Sequence, residues 1–194
     1  VKYVIVDLEA ACWRAERPED AARVAEYQHE HSEIIEIGAV KLGGKDATDD
    51  EFDSFVKPTI VPTLSDFCMK LTTISQEDVD TAPIFPVVFA DFVSGLEDVE
   101  STILCSWGQY DWDMLKKECD RYGIVFPFVH HVNVKERFMQ KYGGKHVGVQ
   151  KALRKLGMIK ELRKLGLTFT FTGIPHRGID DARNIVTIFK ALGG

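Results

Sequence analysis

The ten residues Val1-Lys2-Tyr3-Val4-Ile5-Val6-Asp7-Leu8-Glu9-Ala10 limit what this chain can fold into more than any other stretch. Their β-branched and aromatic residues predict a strand buried on both faces, at the centre of a sheet. Such a strand has no use for charge, yet this one closes with Asp7 and Glu9. At i and i+2 the two carboxylates leave the same face of the pleat, where they repel each other and gain nothing from burial. One reading is a solvated strand end. The other is half of a divalent-cation site, because hard cations take carboxylate oxygens.

Further strands are predicted for Glu33–Leu42 and for Glu51–Lys57, which alternates and stops at Pro58, giving an antiparallel three-strand opening. Residues 14–32 are polar, a loop or short exposed helix. Residues 63–72 predict a short helix, and Ser75-x-x-Asp78 resembles a capping box for another. A helix after Pro83 would bury Phe85, Val88, Phe89, Phe92 and Val93. Thr102–Ser106 and a weaker run near His131–Asn133 predict strands. Helices are predicted from Tyr110 to Tyr122, through Phe138 and Met139, from Gly148 to Gly157 and from Ile179 to Leu192. Three strands in series, then alternating helices and strands, give an α/β fold with a mixed sheet and helices on both faces. No Pro-, Gly- or Ser-rich linker divides the 194 residues, so one domain over residues 1–194 is expected. Leu153-Arg154-Lys155-Leu156-Gly157 recurs as Leu162-Arg163-Lys164-Leu165-Gly166, a local duplication that lengthens one connection.

Helical spacing sorts the remaining acids. Asp111 shares a face with Met114, Leu115, Glu118 and Tyr122 and should point inward, whereas Asp113 lines up with Lys116 and Lys117. Asp181 lines up with Ile185, Ile188 and Leu192, whereas Asp180 lines up with Arg183 and Asn184 and should face water. The inward acids are therefore Asp7, Glu9, Asp111 and Asp181, with His176 on the loop before the last of them. Four acids in one core are prohibitive without cations, and two divalent ions are the arrangement that cleaves phosphodiesters.

Asp7-x-Glu9, Tyr110-Asp111-x-x-Met114-Leu115 and His176-x(4)-Asp181-Ala182 resemble the three motifs of the DEDDh 3′–5′ exonuclease superfamily, which has a ribonuclease-H-like fold. Asp7–Trp13, Glu33–Gly38, Leu64–Cys68 and Ser106-Trp107-Gly108 resemble most its histone-mRNA and RNA-interference subgroup, a pattern shared with bacterial sporulation-inhibitor-like exonucleases. The resemblance implies that Asp7 bridges two metals, Glu9 and Asp181 complete the more buried site, and Asp111 holds the second. His176 and one metal would then prepare the attacking water, as suits an imidazole that titrates near neutrality. Mg²⁺ is the expected ion, two per site, with Mn²⁺ able to serve. The product would be a nucleoside 5′-monophosphate.

Leu8, Ala10, Ala11, Trp13, Thr73, Trp107 and Tyr110 are the residues expected to meet the substrate, single-stranded nucleic acid with RNA favoured. Two of them depart from the family pattern: Ala11 replaces the usual Thr and Thr73 the usual Gly. Trp13, Trp107, Tyr110 and Phe171 offer faces for unpaired bases, or ordinary core packing. Lys151, Arg154, Lys155, Lys160, Arg163 and Lys164 could follow the phosphates, or form a solvated face. Net charge is −6, but residues 1–97 hold 8 basic and 20 acidic residues and residues 98–194 hold 16 and 10, which permits a local basic surface. A DNA-directed proofreading or repair exonuclease is the alternative enzyme. A non-catalytic RNA-binding module with the same fold is the alternative from another class.

His29, His31, His130, His131 and His146 show no metal-ligand spacing and are read as surface or capping residues. Gly43-Gly44 and Gly143-Gly144 read as turns. No stretch could span a membrane, and scattered Cys12, Cys68, Cys105 and Cys119 read as buried free thiols of a cytoplasmic protein. Val1-Lys2-Tyr3 has no signal-peptide layout and no initiator methionine, so a short N-terminal segment is expected to be missing.

Overall fold

The computed structural model describes residues 2–43, 49–145, 147–159, 161–165, 167 and 169–194. Five strands make one sheet: β1 (Lys2–Ala10), β2 (Ile34–Leu42), β3 (Asp50–Phe55), β4 (Thr102–Ser106) and β5 (His130–Asn133), in the order β3-β2-β1-β4-β5. β2 runs antiparallel to β1 and β3 antiparallel to β2, while β4 is parallel to β1 and β5 to β4. This is the mixed sheet expected from the sequence, with the first strand at its centre.

The helices are α1 (Ala21–His31), α2 (Asp66–Thr72), α3 (Gln76–Thr81), α4 (Phe85–Ser94), α5 (Tyr110–Arg121), α6 (Val134–Tyr142), α7 (Val149–Gly157) and α8 (Gly178–Leu192). Alternation along β1 decides the layers. Val4, Val6 and Leu8 face a core with Phe85, Val88, Phe89 and Phe92 of α4 and Met114 and Leu115 of α5. Ile5 faces the opposite core, with Phe138 of α6, Leu153 and Leu156 of α7 and Ile185 and Phe189 of α8. A third cluster lies under α2 and α3, around Ile35, Cys68, Ile74 and Val79. Among the described residues, no helix is long and apolar enough to cross a membrane. All four cysteines are free thiols; Cys12, read as buried, is half-exposed.

Local sequence accounts for the helix ends. Ser75 accepts the Asp78 N–H while the Asp78 side chain accepts the Ser75 N–H, the predicted capping box. α2 closes at Thr73 with φ of 61°, a left-handed cap that favours glycine. α1 carries no buried residue, as a polar segment allows. The duplicated segment takes two forms: Leu153–Gly157 ends α7, whereas Leu162–Leu165 is a 3₁₀ turn, with Gly166 outside the described residues.

One contact places α8 against the sheet. A Cβ on Gly38 would stand 2.0 Å from the Gly178 carbonyl carbon, and one on Gly178 would stand 2.9 Å from the Asp7 oxygen. Two glycines thus let the start of α8 press on β1 and β2 beside Asp7.

Candidate active site

The site forms where β1 outruns its neighbour. The β1–β4 ladder ends at Ile5↔Cys105, so Asp7–Ala10 have no strand partner on that side. The N-terminus of α5 enters this opening, and Asp111 Oδ1 accepts the Leu8 N–H at 3.1 Å. A side chain has replaced a strand as the partner of the backbone. On the other side β2 continues, with Asp7 opposite Gly38 and Glu9 opposite Glu36, and the register shifts between Glu9 and Ala10. Such an irregularity turns the strand end next to the site.

Asp7 and Glu9 point to the α8 side, as Ile5 does. Asp181, in the first turn of α8, accepts the His176 N–H at 2.7 Å through Oδ2. His176 has φ of 62° and an exposed side chain. Among the described residues, donor atoms of Glu9, His176 and Asp181 lie within 4.8 Å of one another. Asp111 is 5% exposed and Glu9 9%.

Burial and mutual repulsion set the electrostatics. Burial, then Asp111, Asp181, Glu9 and Glu36, raise the Asp7 carboxyl well above its ordinary range. Burial followed by Asp181, Glu36 and Asp111 brings Glu9 up to about 8. Burial brings Asp111 up to about 6 against the opposing Leu8 N–H, and raises Asp181 against the His176 N–H. Four carboxyls all pushed toward their protonated forms are a site lacking positive charge. An oxygen-rich donor set in that condition fits a hard divalent cation.

A cleft of about 830 Å³ opens over these groups, lined by Asp7, Leu8, Glu9, Trp107, Tyr110, Asp111, Gly148, Gln150, Lys151, Arg154, Pro175, His176 and Asp181 among others. A larger hollow of about 1030 Å³ adjoins it, between α1, Phe67 and the start of α5. It shares Tyr110 with the cleft but holds none of the four acids. All four acids and His176 therefore line the smaller of these two cavities.

The structure brings Asp7, Glu9, Asp111, Asp181, His176, Leu8, Trp107 and Tyr110 together. Trp13 lines the larger hollow instead, edge-on to Tyr27 at 5.0 Å. Ala10 and Ala11 are buried, and neither these side chains nor the exposed Thr73 line the cleft. Phe171 packs against the α8 core. Of the basic residues, Lys151 and Arg154 line the cleft, whereas Lys155 bonds the carbonyls of Tyr142 and Gly143 and so ties off α6. Lys164 is exposed, and Lys160 and the Arg163 side chain lie outside the described residues.

Two expectations are corrected. Asp180 does not face water: its side chain is 17% exposed and accepts the Ile174 N–H at 2.8 Å and Arg183 Nη1 at 2.8 Å. The loop before α8 folds back over the first helical turn, so both adjacent aspartates find partners. His131 is not a surface residue either. It is half-buried, with Nε2 2.9 Å from Ser106 Oγ and its ring stacked on Trp112, because β5 lies beside β4 at that point. His31 Nδ1 meets the Tyr27 carbonyl as a helix-end contact, and His146 and Gly44 lie outside the described residues. Sequence reasoning missed Glu36 in the site's support and Gly148 and Gln150 on its wall. A glutamate inside the apolar run Ile34–Leu42, in a stretch that resembles the family, was the signal for the first.

Compared with known proteins, residues 4–189 match the Exonuclease (RNase_T) family. The chain is 31% identical to ERI1 exoribonuclease 2 of Danio rerio over 212 residues, covering 97% of this chain and 34% of that protein. It is 31% identical to human 3′-5′ exoribonuclease 1 over 193 residues, covering 95% of this chain and 50% of that one. Among solved structures it is similar to the nuclease domain of 3′hExo, a DEDDh family member, bound to rAMP. The TM-score there is 0.71 at 29% identity, covering 97% of this chain and 89% of that one. The chain thus spans half or less of the length of these two curated relatives.

Proposed function

The chain belongs to the Exonuclease (RNase_T) family, and from that premise we infer that it is a divalent-metal-dependent 3′–5′ exonuclease. Its substrate is single-stranded nucleic acid, RNA before DNA, and its product a nucleoside 5′-monophosphate. The observation that carries this reading is the meeting of four carboxylates and His176 in one cleft walled by two aromatic rings and two cations. Two relatives whose names are exoribonucleases support the choice of RNA.

Asp7, Glu9, Asp111 and Asp181 would hold the metal ions, Mg²⁺ by default and Mn²⁺ as a substitute. Bound divalent ions supply positive charge for the phosphate and the leaving 3′-oxygen and make water more acidic. The imidazole of His176 takes the proton of the attacking water on a ring nitrogen, and the Asp181 carboxylate holds that residue's backbone in place. Trp107 and Tyr110 receive the terminal unpaired bases by stacking, beside Leu8. Lys151 and Arg154 take the phosphates. Trp13 receives substrate from the adjoining hollow, whereas Ala10, Ala11 and Thr73 line neither cavity, and the Ala11 N–H and carbonyl are taken by Glu33 and Ser32. One domain spanning residues 1–194 does this work, in a reducing, cytoplasmic setting that suits its free thiols.

The test is a gel assay with matched 5′-labelled single-stranded RNA and DNA in Mg²⁺, Mn²⁺ or EDTA, beside Asp7→Ala. A metal-dependent ladder that shortens from the 3′ end and is absent in the variant is expected, faster on RNA. A faster ladder on DNA would reassign the substrate. RNA binding without degradation in either metal would make the protein a binding module.

A further inference from the structure

Glu36 is fully buried, stands directly across the sheet from Glu9, and does not line the cleft. Like charges at opposed positions weaken a sheet, so this placement needs a reason. The carboxylate is answered from α8. Arg177 Nε donates to Oε1 and Oε2 at 3.2 and 3.3 Å, and Arg177 Nη2 donates to Oε1 at 3.2 Å. The Gly178 N–H adds a bond to Oε2 at 2.9 Å. The guanidinium also lies over the ring of Phe55, 5.0 Å from its centre, and Phe55 is the partner of Glu36 on β3. Arg177 is thus gripped by neighbouring residues of two strands.

Holding α8 to the sheet does not require this pair. The Gly38–Gly178 contact and the apolar face of α8 already do so, and a buried ion pair is often no better for stability than apolar residues of equal volume. What the pair adds is direction. Arg177 follows His176 immediately, and His176 holds a left-handed backbone with its own N–H on Asp181. The residue is fixed from in front by Asp181 and from behind by Arg177 and Gly178.

We propose that Glu36 is a positioning residue: through Arg177 and Gly178 it fixes the loop that carries His176, and so the approach of the imidazole to the cleft. This rests on the exonuclease reading for its kinetic consequence, though not for its structural one.

Two readouts test it. In the metal-free protein, exchange of the His176 amide should quicken by about tenfold or more in Glu36→Gln while core amides of β1 keep their protection, since only a local opening is involved. At saturating metal, Glu36→Gln should lower kcat by about 10–100-fold with KM within about twofold, the scale of a misplaced catalytic group. In a His176→Ala background the same change should cost less than about twofold, because residues acting as one unit are not additive. Arg177→Lys keeps every charge but loses the two-pronged geometry, and should repeat all three results; it also serves if Glu36→Gln does not fold. Equal losses of kcat in both backgrounds, or exchange that quickens throughout the domain, would overturn the proposal and leave Glu36 a structural residue. A wild-type protein without nuclease activity would refute the exonuclease reading, and the exchange result would still decide the positioning.

Discussion

Replacing Glu9 with glutamine should make the metal-free protein more stable near pH 7 and no more stable in acid. The carboxyl is 9% exposed, and burial among Asp181, Glu36 and Asp111 raises its pKa from 4.5 to about 8. A carboxyl with a raised folded pKa keeps in the native state a proton that the unfolded chain releases. Between the two values the native state binds more protons, so stability falls as pH rises through that window. Below about pH 4.5 both states are protonated and the penalty is absent. At pH 7 it reaches about 3 kcal/mol, from 1.36 kcal/mol per pH unit above the unfolded pKa. Glutamine has no proton to lose, but it buries an amide at a cost of about 1–2 kcal/mol. The net gain should be about 1–2 kcal/mol near pH 7, cross zero at about pH 5–6 and become a loss of about 1–2 kcal/mol near pH 4.5. Urea unfolding in EDTA across this range measures it. Saturating Mg²⁺ should reverse the order, because only the wild-type site gains the full binding energy, about 2.7 kcal/mol at a hundredfold excess over Kd. A variant no more stable than wild type near pH 7, or a gain independent of pH, would refute the reasoning.

His176→Ala should lower the rate on single-stranded RNA by about 10²–10⁴-fold, the usual worth of a general base; wild-type turnover in the gel assay would remove the residue from the mechanism. Thr73→Gly should stabilise by about 0.5–1 kcal/mol in urea unfolding, the relief of a left-handed backbone less the added freedom of the unfolded chain. A loss of stability would mean that the threonine side chain carries a contact. Lys151→Ala and Arg154→Ala should each weaken binding of an RNA oligomer in EDTA and reduce the slope of log affinity against log salt by about 0.7. An unchanged slope would take that residue off the phosphate path.

The sheet was legible because its strands announce themselves independently: a buried apolar run, an alternating run cut by Pro58, and a short apolar run at Thr102–Ser106. The inward acids were legible because helical spacing separates Asp111 from Asp113 and Asp181 from Asp180. Spacing says nothing of a loop that folds back over its own helix, and that loop is what shields Asp180. Two buried acids stayed hidden for a related reason. Glu36 and Glu33 sit within one predicted strand, and their partners come from distant segments, Arg177 and Gly178 for one and the backbone of Thr59, Ile60 and Val61 for the other. The duplicated Leu-Arg-Lys-Leu adopts an α-helix once and a 3₁₀ turn once, so tertiary surroundings decided its form.

The first strand and the last helix share this site, and their junction is a direct backbone contact between Gly178 and the Asp7 carbonyl. That gives the assembly of the site a timetable. As the domain leaves the ribosome, Asp7 and Glu9 emerge early and stand without His176 and Asp181 until nearly all the rest has been made. Docking of α8 is therefore the step that completes the site, and a domain whose last helix has not yet emerged holds only Asp7, Glu9 and Asp111 of the four acids.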